Sequence, residues 1–300
     1  MEPRELRDVL FGPPTVFTSD GSEIDHEAYQ RVVRHIEDSG GSVFLACSNT
    51  GEYYALGDDE RVAAVRSTAR ALEDGVVVAG AAGSLAHVTE LADRYEDAGA
   101  DALMLMHPDH TYVHEEGLRR YYEHIDESTD LELVLYKRGP ELTDELLDTL
   151  SQRDGVVGVK YAVNDIDAFA RAVSNTNGDI AWICGLAERF APSFAMEGAD
   201  GYTTAVGAVV PDVALSLTDA LEAGDWERAR EIRDAVRPFE EFRDESGENN
   251  RFESANNVPA VKYGLEFRGF TGGPVRPPLA ELSDDDKGRV EARVQRLVER

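Results

Sequence analysis

The stretch Val156-Val157-Gly158-Val159-Lys160 decides the fold, because it is a short apolar run that ends in a lysine. In a parallel sheet covered by helices on both faces, strands are continuous apolar runs, and functional side chains collect at their carboxyl ends. An ammonium group at such an end loses hydration, which favours the neutral and nucleophilic amine. The stretch therefore predicts a buried strand whose last residue either forms a Schiff base with a carbonyl substrate or is held in a salt bridge.

Similar apolar runs recur on both sides of this stretch and alternate with amphipathic segments, which is typical of repeated strand–helix units. Eight such units in roughly 220 residues predict a (β/α)8 TIM barrel, an α/β fold whose active site lies at the carboxyl ends of the strands. An open, doubly wound sheet is the alternative, but no GxGxxG turn follows the first apolar run. The predicted strands are residues 9–17, 42–46, 76–80, 102–106, 133–136, 156–160, 180–184 and 201–205, and the predicted helices are residues 25–38, 58–72, 84–98, 115–127, 143–151, 165–174 and 211–222.

The pattern changes after Gly224, where amphipathic segments follow one another without strands between them. Helices are predicted at residues 226–241, 260–267 and 284–299, and residues 244–257 form a polar loop. We therefore expect a barrel at residues 1–224 and a C-terminal helical extension at residues 225–300 that packs on it.

The chain is strongly acidic, with 59 Asp and Glu against 30 Lys and Arg and a net charge of −29. Because 42% of its residues are hydrophobic, it has material for a core and resembles salt-adapted globular proteins. The charge disfavours nucleic acid and anionic membranes as partners. No apolar run is long enough to span a bilayer and residues 1–8 lack a signal-peptide core, which predicts a cytoplasmic protein. Cys47 and Cys184 have no CxxC spacing and are expected to be reduced thiols.

Polar residues follow several of the predicted strands. The turn Asn49-Thr50-Gly51-Glu52 offers amide, hydroxyl and backbone donors, and its glycine allows close approach to a small anion such as a keto-acid carboxylate. The alternative interpretation is an ordinary strand-to-helix turn, in which these residue types are common. Tyr136 ends the fifth predicted strand and is either a proton shuttle at the barrel mouth or an amphipathic core residue.

Only four lysines compete for the role of imine-forming amine. Lys137 follows Tyr136 directly, so alternation along the strand turns the two side chains to opposite faces. Lys262 and Lys287 lie in polar, helical surroundings and are interpreted as surface residues. Lys160 is the remaining candidate.

In order and spacing, a set of short motifs resembles the dihydrodipicolinate synthase and N-acetylneuraminate lyase family of class I aldolases. The motifs are Asn49-Thr50-Gly51-Glu52, Pro108 with Gly117-Leu118, Leu135-Tyr136, Gly158-Val159-Lys160 and Gly273-Pro274-Val275-Arg276-Pro277-Pro278-Leu279. The resemblance implies that Lys160 forms the imine with pyruvate or another 2-keto acid and that Tyr136 relays protons. It further implies that Asn49 and Thr50 bind the keto-acid carboxylate, that the Thr50 hydroxyl links to Tyr136, that no metal or organic cofactor is needed, and that the protein is a homotetramer or homodimer.

Departures from the family pattern narrow the expected substrate. The first of two threonines in the turn is replaced by Asn49, and His110 aligns with a tyrosine that the lysine-pathway synthase lends across its dimer interface. The arginine that binds the semialdehyde carboxylate in that enzyme aligns with Glu141, and Arg138 takes its place only if the loop is rebuilt. The resemblance therefore favours a relative that acts on 2-keto-3-deoxy sugar acids.

The segment Gly185-Leu186-Ala187-Glu188 resembles the one with which the sialic-acid lyase reads sugar hydroxyls, although Ala187 replaces its aspartate. Glu188 is accordingly either a ligand of a polyol chain or a solvated acid at a helix start. Thr203, on the eighth predicted strand, is a further candidate for substrate binding.

The leading hypothesis is a lyase that cleaves or condenses a 2-keto-3-deoxy sugar acid to pyruvate and an aldehyde. A dehydratase and a 4-hydroxy-tetrahydrodipicolinate synthase are alternatives that use the same imine. A metal-dependent lyase, with ligands from His107, Asp109, His110 and His114, is a third, but these residues span a loop and a helix start, where convergence on one ion is uncommon. A non-catalytic keto-acid-binding or assembly protein on the same barrel is the fourth.

Overall fold

The computed structural model describes residues 1–299, and its eight parallel strands close into one barrel in sequence order. Closure is made by the first and last strands, where Val9 pairs with Tyr202 and Phe11 with Thr204. The TIM-barrel prediction is confirmed, and the open sheet is wrong because a closed barrel has no edge strand. The strands are β1 Val9–Phe11, β2 Val43–Ala46, β3 Val76–Ala81, β4 Ala102–Met106, β5 Glu132–Lys137, β6 Val156–Tyr161, β7 Ala181–Cys184 and β8 Gly201–Thr204.

Helices follow the strands and cover the outside of the barrel. Several begin where predicted, because an Asp, Ser or Thr accepts a hydrogen bond from a backbone N–H of the first turn, as Asp25 does from Ala28 and Thr143 from Leu146. The helices are α1 His26–Asp38, α2 Asp58–Ala71, α3 Leu85–Glu96, α4 Glu115–Ser128, α5 Asp144–Ser151, α6 Ile166–Asn175, α7 Ala191–Met196 and α8 Pro211–Glu222.

The C-terminal part is helical and consists of α9 Trp226–Asp244, α10 Asn257–Phe267 and α11 Asp284–Val298. It packs on the barrel, since the buried α9 residues Val236, Phe239 and Phe242 are at most 1% exposed and belong to the same core as the strands. No helix within residues 1–299 has the length and apolar content needed to cross a membrane.

The structure corrects one predicted element and adds one that was not predicted. The first strand ends at Phe11 and does not reach residue 17, because Pro13 and Pro14 have no N–H to donate to a sheet. The short helix α7 was not predicted, since its six residues cover less than two turns and leave little periodicity to read.

One irregularity lies inside the stretch that decides the fold. Leu133 of β5 is level with Val156 of β6, but the next residue, Val134, is level with Gly158. Val157 is therefore an extra residue in β6, a β-bulge that shifts the alternation of every later side chain in the strand. Beyond the bulge, Tyr136 is level with Lys160 and Lys137 with Tyr161.

Candidate active site

Lys160 and Tyr136 lie side by side at the carboxyl ends of two adjacent strands. Neighbours at the same level of a parallel sheet point to the same face, and both residues are buried. The Lys160 Nζ atom is 4.2 Å from the centroid of the Tyr136 ring. The amine and the phenol are therefore placed to act on one bound molecule.

Lys137 points to the other face of the sheet, toward the helices. Its ammonium contacts the Leu142 carbonyl, donates to the Gly139 carbonyl at 3.3 Å and lies 5.6 Å from the centroid of the Tyr161 ring. Burial lowers the pKa of Lys137 from its ordinary value, but its contacts are away from Tyr136. The structure has the predicted alternation, in which Lys137 and Tyr136 point to opposite faces of β5.

The interpretation of Lys262 as a surface residue is wrong. It is 2% exposed, and its ammonium forms a buried ion pair with the carboxylate of Glu52. It also donates to the Pro274 carbonyl at 2.6 Å. The reason is its place on α10, where it lies four residues after Val258 and three before Leu265 on the face that packs against the barrel. Lys287 is partly exposed and lies 3.7 Å from Asp284.

The turn after β2 brings Asn49 and Thr50 to the cavity that contains Lys160 and Tyr136. The side-chain amide of Asn49 donates to the Tyr136 hydroxyl at 3.5 Å, and its buried Oδ1 atom has no hydrogen-bond partner within residues 1–299. The polar neighbour of the Tyr136 hydroxyl is thus Asn49. Within residues 1–299 no hydrogen bond joins Thr50 to Tyr136, although the family resemblance implied one. A free amide oxygen in such a place suits a hydroxyl group of a ligand.

Gly51 does not line the cavity. Its N–H donates to the Ser48 hydroxyl at 3.3 Å and its carbonyl accepts from Thr15 at 2.7 Å. A Cβ atom at this position would lie 3.1 Å from the Ser48 backbone nitrogen, so the glycine allows the turn itself to close.

The turn is held from behind by the C-terminal part of the chain. Glu52 has a left-handed backbone with φ of 57°, and its carboxylate is shared between the Lys262 ammonium and the backbone N–H of Arg276, at 3.0 Å from the latter. The guanidinium of Arg276 in turn donates to both carboxylate oxygens of Glu60 at 2.8 and 2.7 Å. This arrangement links α10 and the segment after it to the residues that carry Asn49 and Thr50.

The cavity around Lys160 has a volume of about 260 Å³ and is mainly polar. Thr203, on β8, lines it as predicted, whereas two further walls come from residues that the sequence did not single out. These are Arg189 after β7, and Glu240, Arg243, Asp244 and Asn257 of the helical extension.

Glu188 is neither solvated nor at the cavity surface, so its interpretation as a solvated helix-start acid is wrong. It is 1% exposed, accepts from the Thr204 hydroxyl and contacts the carboxyl group of Glu240. Burial, together with the neighbouring Glu188, raises the pKa of Glu240 well above the usual carboxyl value. The Glu240 carboxyl group therefore holds its proton to a higher pH than an exposed carboxyl group does.

Replacing Glu240 with glutamine is expected to change how stability depends on pH. The folded state retains a proton that the unfolded chain releases near pH 4.5, so this contribution to stability is complete below that pH and is lost as the pH rises through the raised pKa. Glu240→Gln removes the titrating carboxyl group while keeping the shape of the side chain. As the pH rises above about 5, urea unfolding is expected to show the wild type losing stability relative to the variant.

The exposed neighbour Glu241 provides the control, since Glu241→Gln removes one acid from the same helix. If both variants followed the pH profile of the wild type in parallel, Glu240 would not hold a proton in the folded protein.

The loop after β4 does not bring His110 into the cavity of this chain. His110 is exposed and its Nδ1 accepts from the backbone N–H of Tyr112 at 3.0 Å, while His114 accepts from Glu116 in the same way at 3.1 Å. His107 lies 3.8 Å from Glu141, beside a separate cavity that Arg138 also lines. Within residues 1–299 no three His, Cys, Asp or Glu side chains are grouped closely enough to hold a metal ion.

The fold is that of the TIM-barrel enzymes, whose active sites lie at the carboxyl ends of the strands, and here the ends of β5 and β6 carry a buried tyrosine and a buried lysine. Residues 5–297 match the model of the dihydrodipicolinate synthetase family, to which the chain therefore belongs. Its members include lyases and dehydratases, and this chain is an enzyme of that type. The roles of the individual site residues stay predictions.

Relatives in the family differ in the reactions their names describe. A probable 5-dehydro-4-deoxyglucarate dehydratase of Streptomyces avermitilis is 33% identical over 288 residues, which are 92% of this chain and 88% of that protein. A 4-hydroxy-tetrahydrodipicolinate synthase of Chlorobaculum parvum is 30% identical, and 94% of each chain is covered. The crystal structure of dihydrodipicolinate synthase from Oceanobacillus iheyensis superposes with a TM-score of 0.93 at 30% identity, covering 99% of this chain and 98% of that one.

Proposed function

We propose that this chain is a Schiff-base-forming lyase that cleaves, or in reverse condenses, a 2-keto-3-deoxy sugar acid to give pyruvate and an aldehyde. The observation that carries the proposal is the buried Lys160 amine, 4.2 Å from the Tyr136 ring in a polar cavity. The imine itself is the electron sink for this chemistry, so we propose that neither a metal nor an organic cofactor takes part.

Binding places the ketone beside the amine. Asn49 and Thr50 bind the carboxylate of the keto acid, and the Lys160 amine attacks the C2 carbonyl, which loses water to form an iminium. The Tyr136 hydroxyl donates and accepts the protons of these steps, and the amide of Asn49 holds it in place. Thr203 contributes a hydroxyl to the wall that faces the rest of the substrate.

Cleavage uses the same groups. Tyr136, left as a phenolate after it protonates the departing water, accepts the proton of the C4 hydroxyl as the C3–C4 bond breaks, and the bonding electrons move into the iminium to give an enamine and an aldehyde. Protonation of the enamine at C3 and hydrolysis of the imine then release pyruvate and restore the lysine.

Dehydration is the second candidate reaction, and it is supported by the 33% identical relative named as a probable 5-dehydro-4-deoxyglucarate dehydratase. In this reaction a base removes a C3 proton from the same iminium and the enamine expels the C4 hydroxyl as water. The 30% identical synthase supports a condensation with an amino-acid semialdehyde as a further alternative. Assays of pyruvate release, water loss and condensation on one enzyme preparation distinguish the three.

Borohydride trapping tests the shared step. Incubation with pyruvate and sodium borohydride in high salt is expected to attach one reduced pyruvate to the peptide that contains Lys160, as seen by mass spectrometry. The absence of an adduct on folded protein would favour a non-catalytic keto-acid-binding protein. An adduct on Lys137 would mean that the reactive amine is on the face of the sheet opposite to Tyr136 and that the proposed site is incorrect.

We further propose that the protein is cytoplasmic and assembles as a homotetramer or homodimer. Two aromatic side chains near the barrel mouth support assembly, since Tyr112 is 84% and Tyr54 is 65% exposed and large apolar surfaces of this kind suit a protein interface. Light scattering at high salt measures the assembly.

A salt-adapted protein is expected to lose stability in dilute buffer. With a net charge of −29, the folded chain is destabilised by self-repulsion, which salt screens. We expect the melting temperature to rise between about 0.1 M and about 3 M KCl. An unchanged melting temperature over that range would contradict salt adaptation.

A further inference from the structure

One wall of the Lys160 cavity carries two arginines, Arg189 after β7 and Arg243 at the end of α9. Arg243 is only 7% exposed. Its guanidinium donates to the Asn257 side-chain oxygen at 2.8 Å and to the Asn257 backbone carbonyl at 3.3 Å. Within residues 1–299 no carboxylate forms an ion pair with it, whereas the buried Lys262 is paired with Glu52.

A buried guanidinium without a carboxylate partner is costly, and an anionic ligand offsets that cost. Burial lowers the pKa of Arg243 from its ordinary value, although the nearby Glu240, Glu188 and Asp244 act in the opposite direction. Because the cavity contains the cation together with the reactive lysine, the anion that completes the site is a group of the substrate.

The nearby carboxyl groups do not outweigh the positive charges of this wall. The raised pKa of Glu240 favours its neutral form, and Asp244 balances Arg189, to which it is paired at 2.7 Å. Glu188 accepts from the Thr204 hydroxyl, so the Arg243 guanidinium remains available to the cavity. A carboxylate is therefore accepted there despite the acidity of the protein.

The substrate's own geometry gives the carboxylate its position. Its keto end is held by Lys160 and by the Asn49-Thr50 turn, so the chain beyond C3 extends along the remaining walls of the same cavity. We propose that Arg243 and Arg189 bind a second carboxylate at the far end of the substrate, so that the enzyme prefers dicarboxylic 2-keto-3-deoxy sugar acids to monocarboxylic ones. This inference rests on the proposed Schiff-base function and names its substrate class.

Two substrates that differ in the terminal group test the proposal: 5-dehydro-4-deoxyglucarate, which ends in a carboxylate, and 2-keto-3-deoxygluconate, which ends in a hydroxymethyl group. The wild type is expected to favour the diacid in kcat/KM. Arg243→Met and Arg189→Met are each expected to lower that preference by about 10- to 100-fold, mainly through KM, with the monoacid affected by less than about threefold. Asp244→Asn, which frees Arg189 from its partner, is expected to raise the preference.

Arg230→Met is the matched control, because Arg230 lies exposed on the same helix, and it is expected to leave the preference unchanged. If Arg243→Met fails to fold, Arg189→Met and Asp244→Asn still test the proposal, because both of these side chains are partly exposed and their replacement disturbs the core less. Pyruvate trapping at Lys160 lacks the distal group and is expected to be normal in all these variants. Normal trapping with an unaltered diacid preference in Arg189→Met and Asp244→Asn would overturn the inference, whereas loss of trapping in the wild type would instead overturn the proposed function.

Discussion

Replacing Lys160 with alanine is expected to abolish borohydride trapping and to lower kcat by on the order of 10⁴-fold or more, as removal of a covalent nucleophile does elsewhere. The structure gives no substitute. Lys137, next along β5 from Tyr136, faces the helices and contacts the Leu142 carbonyl, while Lys262 is paired with Glu52. Stopped-flow measurement of pyruvate release and mass spectrometry of the reduced adduct check the two expectations.

Two control variants distinguish the role of the Lys160 amine from the roles of the residues around it. Lys137→Met removes a buried lysine of the adjacent strand and is expected to leave the Lys160 adduct in place. Tyr136→Phe keeps the ring against Lys160 but removes the proton carrier, so trapping is expected to persist while turnover falls by about 10²- to 10⁴-fold. Turnover by Lys160→Ala at the wild-type rate would eliminate the imine mechanism.

Replacing Lys262 with methionine is expected to lower the free energy of unfolding by about 3–5 kcal/mol, because it leaves the Glu52 carboxylate buried without its cation. Both side chains of the pair are at most 3% exposed, so solvent does not screen the change. The same variant is expected to raise KM for pyruvate, since Glu52 belongs to the turn that carries Asn49 and Thr50. Urea unfolding in high salt measures the first effect and initial rates the second.

Lys287→Met is the matched control, since that lysine is partly exposed and 3.7 Å from its partner Asp284. It is expected to change stability by less than about 1 kcal/mol. The double variant Lys262→Met with Glu52→Gln is expected to recover part of the lost stability, because no unpaired charge is left in the interior. A single variant as stable as the wild type would mean that the ion pair does not hold the turn.

Much of the fold follows from periodicity alone. Buried parallel strands leave apolar runs that are hard to confuse with the amphipathic helices between them, so the barrel and the extension were predicted from the sequence. The exceptions have local causes, such as the prolines that end β1 at Phe11 and the six-residue length of α7.

The site was predicted only where a polar residue ends an apolar run. Lys160, Tyr136, Asn49, Thr50 and Thr203 have that signature, and the structure brings them to one cavity. His110 and Gly51 also follow apolar runs, yet the loop after β4 leaves His110 exposed, and Gly51 closes its turn and does not line the cavity.

The walls formed by the extension were missed because their charged residues lie far away in sequence. The sequence does contain a signal for these walls. On α9, Glu240 and Arg243 fall at helical spacing among the buried residues Val236 and Phe239. On α10, Lys262 falls in the same way among buried apolar residues. Charges on an apolar helix face indicate either a buried pair or a ligand, and only the partner helices and strands decide which.

The extra residue Val157 gives β6 one residue more than β5 over the same distance. Deleting any one residue between 156 and 159 would remove the bulge and leave Lys160 level with Tyr136, because regular pairing from Leu133 onward ends on that same pair. A one-residue gap at this place in an alignment is therefore no sign that a related chain has turned its lysine away from the barrel mouth.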